Sequence, residues 1–211
     1  MNGPLTGVKI LDFTQLAQGP FATQLLGDMG AEILKVEPPK GDWMRHFAYV
    51  NLYPAGESIS FLCFNRNKRS LALNLKDPRA VEIVKRMTTG VDVVVENFRP
   101  GVMERLGIGY EVLRAINPRL VFCSSSGYGA DGPYVARPGQ DLLIQSLSGG
   151  MTLNGNRGDY PIATAVGIAD LVTGLHIVHS ILEPLNTQMV LSSGLDPNPI
   201  SVNVKPLVLG V

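Results

Sequence analysis

The sequence predicts an α/β fold, a Rossmann-like parallel sheet with helices on both faces. Three observations carry that prediction. Short apolar runs alternate with helical patterns through the first two-thirds of the 211 residues, as in chains that wind a parallel sheet. One of those runs, VDVVVENF at 91–98, is almost continuously β-branched, which suits a strand covered on both sides. The segments that follow the runs, TQLAQGP, EPPKGDW, ENFRPG and SSSGYGADGP, are rich in Gly, Pro and polar groups. That composition suits the loops at the C-terminal strand ends, where such sheets bind ligands.

The elements follow in order. VKILDFT (8–14) is a buried strand, and GPFATQLLGDMG (19–30) has helical spacing and closes on Gly. AEILKVEPP (31–39) is a second strand stopped by two prolines, and RSLALNL (69–75) is a third. DPRAVEIVKRMTTG (77–90) opens with an Asp cap and Pro at the first helical position. After the 91–98 strand come a helix at 110–118, a strand entering a glycine loop at 120–129, and helices at 141–151 and 169–182. Beyond residue 182 four prolines interrupt the pattern, and only ISVNVKPLVLGV suggests one more strand.

Composition narrows the function classes. Hydrophobic residues at 45% and charged residues at 17% describe a globular chain. Lys+Arg and Asp+Glu are both 18, so no net basic charge points to nucleic acid or a membrane surface. No apolar run reaches a membrane span, and MNGPLTGVKILDFT lacks the pattern of a secretory leader. Cys63 and Cys123 sit in apolar runs without metal-ligand spacing, which suits reduced core thiols of a cytoplasmic protein. His46, His176 and His179 form no metal or base constellation, and no Walker pattern, G-x-G-x-x-G after a strand or nucleophile elbow occurs.

Asp170, in AVGIADLVTGLHIVHSIL, is the most informative polar residue. The run Leu171, Val172, Leu175, Val178, Ile181 and Leu182 makes an apolar helical stripe, with Asp170 at its start. There the helix dipole favours an ionised carboxylate by roughly 0.3–1 kcal/mol. Two readings remain open: a helix cap, or a carboxylate nucleophile whose attack on a carbonyl is met by nearby N–H groups. Asp141 opens the preceding helix with the same ambiguity. Arg66, Lys68 and Arg69 cluster in FNRNKRS, as a phosphate-binding group or as a solvated face.

The blocks GVKILDFTQLAQGPFATQLLGDMGAEILKVEPPKGD (7–42), FNRNKRSLALNLKDP (64–78), DVVVENFRPGVMERLGIGYEVLRAINPRLVFCSSSGYGADGP (92–133), RPGQDLLIQSLSGGM and GIADLVTGLH resemble the class III CoA-transferases. The likeness runs from residue 4 to about 183 in unbroken order. It implies the large domain of that fold over 1–183 with the small domain absent, followed by a divergent tail at 184–211. It also implies acyl-CoA:carboxylate CoA transfer through an aspartyl covalent intermediate, in a homodimer. The partners implied are an acyl-CoA and a carboxylic acid, with the coenzyme A thioester a substrate and no permanently bound cofactor. By the resemblance Asp170 falls on the nucleophile and Asp141 on a supporting acid. Leu16 and Ala17 fall near the thioester, and Leu73, Lys76, Asn97, Phe98 and Arg105 fall on positions that hold the coenzyme. The loops at 51–58 and 153–164 border the acyl pocket in this reading. Two other readings are a CoA-binding or partner-binding homologue without turnover, and an α-methylacyl-CoA racemase. Racemases of that superfamily place a proton-transferring His where this chain has Gln140, and Gln cannot abstract a proton.

Overall fold

A computed structural model describes residues 3–191 and 200–204. Strand β1 (Lys9–Asp12) leads through a tight turn into helix α1 (Gln18–Asp28), and β2 (Glu32–Glu37) follows. A 3-10 turn at Trp43–His46 and helix α2 (Ile59–Phe64) precede β3 (Lys68–Ala72). Then come α3 (Pro78–Thr88), β4 (Val93–Glu96), α4 (Val102–Arg105), α5 (Tyr110–Ile116) and β5 (Val121–Ser125). Helix α6 (Asp141–Leu147), helix α7 (Ile168–Leu191) and strand β6 (Ile200–Val204) complete the described chain.

The six strands form one sheet in the order β3-β2-β1-β4-β5-β6, every pair parallel. The expected doubly wound architecture is therefore present. Chain order reverses between β1 and β4, which opens a crevice at their C-terminal ends. Val93, Val94 and Val95 are fully buried, and they divide between two cores. Val93 and Val95 join Ile10, Ile33, Leu26 and Ile181 under α1 and α7. Val94 joins Leu11, Phe13, Val84, Leu113 and Phe122 under α3 and α5.

Several expectations need correction. Helix α7 does not stop at residue 182; it continues through Pro184 to Leu191. Pro184 removes one backbone donor, but Ile181 and Leu185 on either side of it are buried in the core and hold the helix in register. As a result one stretch, Ile168–Thr187, is long and apolar enough to cross a membrane by length and composition, contrary to the expectation from the sequence. Ile177, Val178, Ile181 and Leu185 of that stretch pack on the sheet and α1. The apolar stripe is also shifted: Ile177 is buried while Leu175 is exposed. Cys123 is buried as expected, but Cys63 is exposed. The suggested terminal strand appears as Ile200–Val204 beside β5; the rest of that segment, 205–211, and residues 192–199 of the divergent tail lie outside the described residues.

Candidate active site

The site is assembled where α6 meets the start of α7. Asp141 does not cap its own helix: no side-chain cap is present at the α6 N-terminus. Its Oδ1 instead accepts the backbone amides of Ala169 and Asp170, at 2.7 and 3.0 Å. Its Oδ2 accepts Nε2 of Gln145, one helical turn later on α6, at 2.5 Å. Gln145 is buried and its Oε1 accepts the amide and hydroxyl of Thr164. This chain of bonds ties the approach to α7, at 164–170, to the face of α6.

The consequence for Asp170 reverses one expectation. The free amides at the head of α7, which would have stabilised its ionised form, are taken by Asp141. Burial, and then the charge of Asp141, push the Asp170 carboxyl up to about 6. It is still mostly ionised at neutral pH, and no donor engages it among the described residues. Burial also raises the Tyr49 phenol, with further contributions from Asp170 and then Asp141. Tyr49 is thus within electrostatic reach of both carboxylates, and sequence reasoning missed it because nothing in its exposed loop marks it.

Helix α1 supplies the facing wall. A Cβ at Gly174 would lie 2.7 Å from the Phe21 ring and 2.9 Å from the Gln18 carbonyl oxygen, so the first turn of α1 rests directly on α7. Asp170 lies four residues before Gly174, on the same helix face, and therefore looks toward the start of α1. Among the described residues the amides of Ala17, Gln18 and Gly19 have no acceptor. The Gln18 side chain accepts the Ser125 hydroxyl at the end of β5, at 2.8 Å.

A cleft of about 190 Å³ runs between the ends of β4 and β5 to the residue before Asp141. Asn97, Phe98, Arg99, Ser126, Arg137 and Gln140 are part of its lining. Its floor depends on two glycines: a Cβ on either Gly127 or Gly139 would come within 2.2 Å of the other's Cα. The glycine loop after β5 thus serves to let two backbones touch.

The other site residues named from the sequence divide into groups. Asn97 is bonded through both side-chain ends to the Gln15 backbone, beside Leu16 and the buried Ala17. Leu73 and Phe98 pack against the same core. Lys76 and Arg105 are exposed cations, and Leu73, Lys76 and Arg105 lie outside the cleft lining. Arg99 and Arg137 are the cations that line it, a role that sequence reasoning did not give them. The cluster at 66–69 is a solvated face at Arg66 and Arg69, which are exposed, and neither reading holds for Lys68, whose side chain is buried. Arg66 pairs with Asp28, Arg69 with Glu32, and the buried Lys68 with Asp12.

Comparison with known proteins gives the family and the fold. The model described as CoA-transferase family III matches residues 5–190. A succinyl-CoA:glutarate CoA-transferase from Mus musculus is 43% identical over 206 residues, covering 95% of this chain and 46% of that protein. A formyl-CoA:oxalate CoA-transferase from Streptomyces avermitilis is 40% identical over 185 residues, covering 88% and 44%. The crystal structure of a CAIB/BAIF family protein from Brucella suis superposes with a TM-score of 0.90 at 34% identity, covering 97% of this chain and 53% of that one. The chain therefore spans about half the length of the relatives it matches.

Proposed function

The chain belongs to CoA-transferase family III, and from that premise we propose that Asp170 is the covalent nucleophile of an acyl-CoA:carboxylate CoA transfer. The observation that carries the reading is a mostly ionised, partly buried carboxylate with no hydrogen-bond donor among the described residues, one turn before the glycine at which α7 rests on the first turn of α1. Its raised pKa makes it a stronger nucleophile than a solvated aspartate, yet leaves it ionised at neutral pH.

The steps balance without net proton transfer. An Asp170 oxygen attacks the thioester carbonyl, the C–S bond breaks, and CoA leaves as the thiolate with a mixed anhydride formed. The thiolate attacks the Asp170 carbonyl of that anhydride, giving an aspartyl-CoA thioester and releasing the donor carboxylate. The acceptor carboxylate attacks this thioester, and the returning thiolate takes the new acyl group and frees Asp170. Negative charge builds on a carbonyl oxygen at each addition, and in this reading the amides at 17–19 meet it. Asp141 keeps α7 and its nucleophile in place. The pantetheine arm would lie in the cleft between β4 and β5, with Arg99 and Arg137 toward the phosphates; Arg105, whose guanidinium lies by Gly101 next to the cleft, would add to that positive surface, and the resemblance assigns Lys76 to the same nucleotide.

A short dicarboxylic acid is the proposed acceptor class, supported by the glutarate and oxalate in the names of the two relatives. Gln140 supports transfer over racemisation, because it cannot exchange a proton. A homodimer belongs to the same proposal, supported by the exposed Leu142, Leu147, Leu153, Tyr160 and Leu175 around α6 and α7.

The test is hydroxylamine trapping during turnover with a labelled acyl-CoA. A hydroxamate at Asp170, and loss of label exchange in Asp170→Ala, are expected. Exchange that continues in Asp170→Ala overturns the assignment. CoA binding in calorimetry without any exchange in the unaltered protein would instead favour a binding protein without turnover.

A further inference from the structure

Leu16 has φ +67°, the left-handed region that a branched side chain avoids. Such a residue keeps that conformation only when its surroundings impose it. Here three other segments do so. Lys35 on β2, 1% exposed, donates from Nζ to the Thr14 carbonyl at 2.6 Å and pairs with Asp42 at 2.9 Å. Asn97 after β4 brackets Gln15, accepting its amide at 2.8 Å and donating to its carbonyl at 2.9 Å. The fully buried Asp42 accepts the Leu16 amide at 3.3 Å and the Met44 amide at 2.9 Å.

The amides of residues 14–16 are thus all taken by side chains, Thr14 by Asp12. The next three amides, at 17–19, have no acceptor among the described residues, and they begin the helix turn on which Gly174, four residues after Asp170, rests. A buried ion pair is a weak source of stability, because an apolar pair of equal volume often serves as well. What an apolar pair cannot supply is a directed acceptor for the Leu16 amide.

We propose that Asp42, held by Lys35, is a positioning residue for the acyl-transfer site: it fixes Leu16 in its left-handed conformation and so keeps the first-turn amides of α1 aimed at the carbonyl under attack. The inference rests on the reading of Asp170 as nucleophile.

The comparison is made in a Lys35→Met background, where no unpaired charge is buried. There Asp42→Asn keeps an acceptor for Leu16 and Asp42→Ala removes it. The Ala variant should show kcat lower by about tenfold, equivalent to ~1.4 kcal/mol, with KM for acyl-CoA unchanged. Adding Leu16→Gly should restore most of that loss, because glycine reaches positive φ unaided. Amide hydrogen exchange at Gln15 and Leu16, whose amides are held by Asn97 and Asp42, should be faster in the Ala variant than in the Asn variant. Equal kcat in the Asn and Ala variants, or a loss that Leu16→Gly does not rescue, overturns the proposal. If the Ala variant does not fold, Asp42→Ser serves in its place, since its hydroxyl can still serve Met44 but is too short for Leu16. If the unaltered protein shows no transfer at all, the nucleophile reading fails on its own. The exchange measurement then still decides the positioning claim, and protection at Gln15 and Leu16 that ignores residue 42 overturns it.

Discussion

Asp141 Oδ1 holds the backbone amide of Asp170 at 3.0 Å, so one carboxylate caps the helix whose third residue carries the other. The cap fixes the nucleophile's backbone, and its charge opposes ionisation of the nucleophile's side chain. Both effects bear on the acid limb of the reaction. Asp170 must be ionised to attack, and its carboxyl sits at about 6. The single-turnover rate should therefore be flat above neutral pH and fall about tenfold per pH unit well below 6. Asp141→Asn keeps an oxygen for the two amides but removes the charge, so the limb should move to lower pH. An unmoved limb in a folded Asp141→Asn protein would show that Asp141 acts on something other than Asp170 ionisation.

The same raised pKa makes Asp170 costly to the fold. A carboxyl whose folded value is about 6, against 3.8 in the unfolded chain, favours folding in its protonated form. That stability is present below the unfolded value and is lost as pH rises through 6. Asp170→Asn should then stabilise the protein at pH 8, by up to roughly 3 kcal/mol, and change little near pH 3.5. Thermal unfolding at the two pH values reads the difference. Equal midpoints for the two proteins at pH 8 would mean that the site does not burden the fold.

How far the sequence spoke depended on distance along the chain. The strands were legible because Val93, Val94 and Val95 are buried on both faces of the sheet, which demands an unbroken apolar run. Asp170 was legible because a lone acid at the head of an apolar helix stands out. The cap from Asp141 was not, since it links residues 29 positions apart and no local rule relates them. The same reason hid the partners of Arg66 and Lys68, which lie at Asp28 and Asp12. Pro184 misled for the opposite cause: its local rule was sound, and the packing of Ile181 and Leu185 overrode it.

Glu96, at the end of β4, offers a second test by pH. Burial pushes its carboxyl up to about 7, against the lowering effect of hydrogen bonds from Ser124 and the Phe98 amide. That amide meets Oε2 at 2.7 Å. The folded state again favours the protonated acid, so its stability is lost as pH rises from the unfolded value through 7. Glu96→Gln retains an acceptor for Phe98 without the charge. It should unfold at the same denaturant concentration as the parent near pH 4 and at a higher one at pH 8.5. A midpoint difference that does not change with pH would show that Glu96 does not titrate in this range.

The contact of Gly127 with Gly139 should couple substrate binding to the placement of Asp141. The first lies just after β5 and the second two residues before Asp141, and a methyl group on either would fall 2.2 Å from the other's Cα. No real Cβ tolerates that approach, and both neighbours are backbone, so the loops must part. Overpacking of this kind costs typically ~1–3 kcal/mol. Gly139→Ala should therefore lower stability by that order. Because both loops line the cleft, KM for acyl-CoA should also rise. The displaced Gln140–Asp141 segment should loosen the cap on α7, and hydrogen exchange at the Ala169 and Asp170 amides should quicken with it. If exchange at those amides stays at the parent rate while KM rises, the glycine pair shapes the cleft alone, and α6 is held by its Gln145 bonds to Asp141 and Thr164.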